Sequence, residues 1–213
     1  MTATASGFVH RHVPPEGVGM PTILLLHGAG GDEESLLNLA AIVAPTAGLL
    51  APRGRLLGDG APRFFGRLET GSPDLDDLRE RTDDLATFIR EAAETYGFDP
   101  GETVAVGYAN GAEIAASLLL RHPGLLAGAA LLHGALPFAP PASAALAGTD
   151  VLITAGRMDA TVTAAQSEEL AAALRRAGAN VELEWQQGGH ELTIAEILAA
   201  AGWWRERLGI DAP

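Results

Sequence analysis

Val104-Ala105-Val106-Gly107-Tyr108-Ala109-Asn110-Gly111-Ala112 carries the most chemical information in this sequence. A short apolar strand runs into a glycine-flanked turn, and a helix opens immediately after it. That is the layout of a nucleophile elbow, G-x-S-x-G, whose strained turn holds one side chain above the strand ends and beside a helix N-terminus that stabilises negative charge. The central position is Ala109, however, and a methyl group cannot attack a carbonyl. Ser117, two helical turns further on, cannot replace it. Taken alone, G-x-A-x-G reads equally well as a glycine-rich strand-to-helix turn.

Three other segments shift that balance. His27-Gly28-Ala29-Gly30-Gly31 follows an apolar strand, where a tight turn supplies one backbone N–H of an oxyanion hole and the residue after the nucleophile supplies the other. These donors would be the amides of Ala29 and Asn110. Asp159 follows Val151-Leu152-Ile153-Thr154 and a short turn, and His190 lies in the loop Gln187-Gly188-Gly189-His190. Separately, Asp159 reads as a helix cap and His190 as a surface loop residue. Together they give nucleophile position, acid and base in that order, 50 and 31 residues apart, each at the C-terminal end of a strand. His10 and His12 read as exposed edge-strand residues and His122 as a helix-terminal cation, while His133 follows a strand and could approach the site, with a structural role the favoured reading. No His, Asp or Glu cluster has metal-ligand spacing, and no phosphate loop occurs. Trp203 and Trp204 read as core or interface packing.

These positions need a scaffold of alternating strands and helices. Apolar runs at 22–26, 48–51, 103–106, 126–132, 151–154 and 181–185 read as strands buried on both faces. Amphipathic stretches at 33–43, 74–96, 110–122, 164–177 and 193–208 read as helices. Residues 8–13 add an edge strand. The fold class is α/β: one domain over 1–213, a mostly parallel sheet with helices on both faces and a minimal lid. Residues 52–73 form the longest irregular stretch and are expected to line the site.

The formal net charge of −13 argues against nucleic acid as a partner and disfavours anionic substrates. There is no cysteine, hence no thiolate nucleophile or disulfide. The first dozen residues lack the basic start and apolar run of a signal peptide, and no apolar stretch reaches membrane-spanning length. The expectation is a cytoplasmic protein without membrane attachment.

At L-L-L-H-G-A-G-G-D-E, A-P-R-G, P-R-F-F, G-Y-A-N-G-A-E-I-A-A-S-L-L-L, A-G-R-M-D and Q-G-G-H the chain resembles the bacterial phospholipase/carboxylesterase group of α/β-hydrolases, bordering on dienelactone hydrolases. The resemblance covers most of the chain. It implies a cofactor-free serine esterase for small esters, often dimeric, with Ala109 in the serine position, Asp159 as acid and His190 as base. Phe64 and Phe65 of the long loop, Met158 and the turn at Leu136 are the expected substrate walls, with core packing an equal reading for the two phenylalanines. Every catalytic element except the serine is retained, so Ala109 reads as an engineered change that leaves the protein inactive. The alternatives are a natural pseudoenzyme or ligand-binding receptor, or a lactone or thioester hydrolase.

Overall fold

A computed structural model describes residues 7–17, 19–58, 60–142 and 144–208. Its frame is a seven-stranded sheet made from β1 (His10–Val13), β2 (Thr22–Leu26), β3 (Gly48–Pro52), β6 (Val104–Tyr108), β7 (Gly128–Leu132), β8 (Asp150–Gly156) and β9 (Asn180–Gln186), in the order β1-β3-β2-β6-β7-β8-β9. Only β1 runs antiparallel, paired to β3. Every other pairing is parallel, which demands crossover connections and puts helices over the sheet.

Side chains alternate along these strands, and the two faces feed two separate cores. Leu24, Leu26, Ala105, Leu131 and Ile153 pack beneath α2 (Leu75–Tyr96), α3 (Asn110–Arg121) and α4 (Ala164–Arg176). Ile23, Leu25, Val106, Leu132 and Leu152 face α1 (Leu37–Val43) and α5 (Ile194–Leu208), where Trp203 and Trp204 are buried. The local signals are conventional. Asp74 caps α2 by accepting from the amides of Asp76 and Asp77, and Gly97 closes that helix at φ 76°. Thr163 and Gln166 form a reciprocal capping box on α4. Among the described residues no helix is long and apolar enough to cross a membrane.

The structure corrects three expectations. The first helix starts at Leu37, not at residue 33, because the Asp32 carboxylate accepts from the Glu34 amide and the Ser35 hydroxyl and holds a turn there. Glu33 is itself buried and ion-paired to Arg53, which anchors the turn to the end of β3. His10 is not exposed: it is buried beside α2, with Nε2 2.7 Å from the Tyr96 hydroxyl and Nδ1 3.0 Å from the Phe8 carbonyl. His12 stacks on the ring of that tyrosine at 3.8 Å. Finally, the long loop contains an antiparallel hairpin, β4 (Leu56–Gly58) with β5 (Ala61–Arg63).

Candidate active site

In the register of the parallel strands, Tyr108, Leu132 and Thr154 lie side by side, so β6 and β7 end at one level and β8 runs two residues further. Ala109, His133 and Asp159 therefore gather at one end of the sheet, as parallel α/β topology requires. Ala109 has φ 49° and ψ −111°, a conformation that costs a residue with a side chain of order 1–3 kcal/mol. Its amide donates to the Leu132 carbonyl at 2.9 Å, tying the strained turn to β7. The two flanking glycines are explained by contact. A Cβ on Gly107 would collide with the backbone of Gly111, and a Cβ on Gly111 would collide with the carbonyl of Leu26. The elbow is thus wedged against the end of β2, next to the His27–Gly31 turn. Neither the Ala29 nor the Asn110 amide is engaged in a hydrogen bond among the described residues. The Asn110 side chain is engaged, accepting from the Phe64 amide at 2.8 Å.

Asp159 and His190 meet directly. His190 Nδ1 lies 2.7 Å from Asp159 Oδ2, while Asp159 Oδ1 accepts from the amides of Thr161 at 2.7 Å and Val162 at 2.9 Å. Burial pushes the Asp159 pKa up, but those amides and two imidazoles outweigh it and hold the carboxyl down at about 2. The acid therefore stays ionised across the range in which histidines titrate. His190 and Ala109 line one cavity of ≈ 320 Å³, together with Asn110, Leu136, Glu113 and Arg67. Ala29 lines a neighbouring cavity of ≈ 380 Å³ with Gly28, Tyr108 and Leu192. The elbow thus stands between two hollows.

The sequence leaves open the place of His133, and its motifs single out neither the partner Glu196 nor Glu113. His133, at φ 53° and buried, places Nδ1 3.0 Å from the Asp159 oxygen that His190 also contacts. Its Nε2 is 2.7 Å from Glu196 Oε1 on α5, an ion-pair approach poorly directed as a hydrogen bond. Glu196 is also buried and is satisfied by Thr154 and Thr193. Burial pushes the His133 pKa down, yet the two carboxylates prevail and raise it. A row Glu196–His133–Asp159–His190 results, buried from Glu196 to Asp159, with His133 held between two carboxylates. His133, Asp159 and His190 bring ligand atoms within 4.8 Å of one another, a grouping that linear spacing did not reveal because three different strand ends supply it. Two imidazoles and a carboxylate suit a transition metal, but Asp159 Oδ2 already takes both imidazoles, which a cation would have to displace.

Glu113 sits one turn into α3, only 7% exposed, with Oε2 buried and unbonded. Burial raises its pKa to about 7, with Arg67 pulling slightly the other way. In the unfolded chain this carboxyl ionises near its ordinary value of 4.5, while in the folded chain it keeps its proton to about 7. Stability should consequently fall as pH rises from 4.5 to 7, by about 3 kcal/mol, and level off above. Glu113→Gln should remove that loss. Urea melts at pH 5 and pH 8 check it: the variant should gain over the parent mainly at pH 8, and an equal gain at both would contradict the buried-acid assignment.

Phe64 and Phe65 do not wall the cavity. They are 2% and 0% exposed and belong to the core under α2, so the long loop is pinned by them while Arg67, Ser72 and Pro73 reach the site. Met158 does not wall it either; it is 72% exposed and outside the cavity lining. Leu136 does line it.

Comparison with known proteins points to hydrolases of this fold. A profile of the dienelactone hydrolase family matches residues 69–192. MhqD, a provisionally assigned hydrolase of Bacillus subtilis (strain 168), is 45% identical over 93% of this chain and 99% of its own. The crystal structure of a Bacillus cereus carboxylesterase superposes with a TM-score of 0.91 at 44% identity, covering 94% of both chains. Atu2452 from Agrobacterium tumefaciens, of unknown function, superposes at 0.86 with 36% identity over 94% of this chain and 97% of its own.

Proposed function

Since this chain belongs to the dienelactone hydrolase family, we propose that it is a carboxylic ester hydrolase scaffold whose nucleophile position is occupied by alanine. The observation that carries the reading is the Asp159–His190 pair at 2.7 Å, sharing a cavity with a strained elbow at Ala109. With serine at the elbow, His190 Nε2 takes the hydroxyl proton as the oxygen attacks the ester carbonyl, and Asp159 orients and stabilises the imidazolium. The tetrahedral oxyanion sits on the amides of Ala29 and Asn110. His190 then protonates the leaving alcohol, an acyl-enzyme remains, and water deprotonated by His190 releases the acid. No step calls for a cofactor.

With Ala109 in place acylation has no nucleophile, and the protein is inert as a hydrolase. The elbow dihedrals, the acid, the base and the two amides all keep the form a serine would need, which supports an engineered change. A receptor role on the same fold is favoured by one feature: the pocket remains whole while its chemistry is blocked. Both readings share a consequence. An intact neutral ester should occupy the cavity of the Ala109 protein and be recovered uncleaved, with micromolar to millimolar affinity set mainly by apolar burial of about 25 cal/mol per Å². Crystal soaking checks this, and an ester found away from Ala109 and Asn110 would sink the assigned site.

A further inference from the structure

The cavity at the elbow holds a polar feature that the hydrolytic steps leave unused. Glu113 is more than nine-tenths buried, forms no side-chain hydrogen bond among the described residues, and contributes to the wall that Ala109 and His190 also line. A buried carboxyl without a partner forfeits its interactions with water. A bound molecule bringing a matching group into the cavity recovers that loss.

Resting on the ester-hydrolase reading, we propose that Glu113 selects esters that carry a hydroxyl group a few bonds from the ester carbonyl. Three observations choose the hydroxyl over other polar groups. An ammonium group would face the Arg67 guanidinium, which lines the same cavity and acts electrostatically on Glu113. A carboxylate would meet Glu113 itself within a chain of net charge −13. A hydroxyl both donates and accepts, so it satisfies the Glu113 carboxyl whether or not that group holds its proton. The reach is set by the helix: Glu113 lies four residues beyond Ala109 on α3, roughly 6 Å along the axis at 1.5 Å per residue. A hydroxyl three or four bonds from the carbonyl carbon reaches about 4–5 Å, and a hydrogen bond of about 2.7 Å covers the rest.

The test uses the Ala109 protein, in which esters bind without being consumed. Ethyl butyrate, ethyl 3-hydroxybutyrate and 2-hydroxyethyl butyrate are titrated by NMR, the last two each adding one hydroxyl, on the acyl and alcohol sides respectively. At least one hydroxylated ester should bind about 10-fold tighter than ethyl butyrate, and which one assigns the half of the substrate that lies over α3. Glu113→Leu should reduce that ratio to about one, and Glu113→Gln should keep most of it, because an amide also donates and accepts. Thermal melts of both variants verify folding. Equal binding of all three esters, no binding of any, or a preference that survives Glu113→Leu would each overturn the proposal. The ester-hydrolase reading stands or falls separately, on turnover of ethyl butyrate by the Ala109→Ser protein.

Discussion

Ala109→Ser should hydrolyse p-nitrophenyl acetate with an initial burst, a gain on the order of 10⁶ in kcat over the Ala109 protein. The Ala109 protein should show no burst and only the weak residual rate, about 10³–10⁴ over water, that oxyanion donors and binding provide alone. The gain is so large because nothing else needs to move. Ala109 already has φ 49°, its amide is tied to Leu132, and it already carries a Cβ on which an oxygen can be placed. Asp159 and His190 are already bonded, so the base is oriented before the nucleophile arrives. Steady-state and burst kinetics on both proteins make the measurement. If both were equally inert toward short esters, lactones and thioesters, the hydrolase reading would be lost.

In the Ala109→Ser background, His190→Ala should lower kcat about 10⁶-fold and Asp159→Asn about 10⁴-fold, and the double variant should lose barely more than His190→Ala alone, because the groups act as a unit. Stability should separate the two. His190 is partly exposed and can be removed with little effect on folding. Asp159 also balances buried His133, so Asp159→Asn should cost about 1–3 kcal/mol in denaturant melts. Near-normal activity in either single variant would mean that another residue holds the role.

Much of the site was legible in the sequence because parallel α/β topology brings strand C-termini together whatever the lengths of the connections. Ala109, Asp159 and His190 each follow a recognisable apolar run, so linear order sufficed to group them. What stayed hidden depended on how side chains pack across the sheet. His133 sits at a strand end like the others, yet its importance comes from Glu196, a residue on α5 that periodicity marks only as an ordinary acidic helix position. Phe64 and Phe65 were ambiguous because an apolar pair in a long loop serves a pocket wall and a core anchor equally well; only burial at 2% and 0% decides between them. Met158, beside the acid in sequence, points into solvent instead. Glu113 carried a signal of its own, a lone acid among Ala, Ile and Leu on a buried helix face. The hairpin at 56–63 left little trace, since its strands are three residues each and one contains proline.

The row that begins at Glu196 ties chemistry to the order in which the chain is made. During synthesis the elbow, His133, Asp159 and His190 all emerge before α5, and until that helix docks His133 faces Asp159 without its second carboxylate. A candidate site gathered from the ends of β6, β8 and β9 is therefore completed by an element that lines none of its cavity. The last helix acts on the site from behind it: Glu196 lines none of the cavity, yet through His133 it sets the charge balance around Asp159.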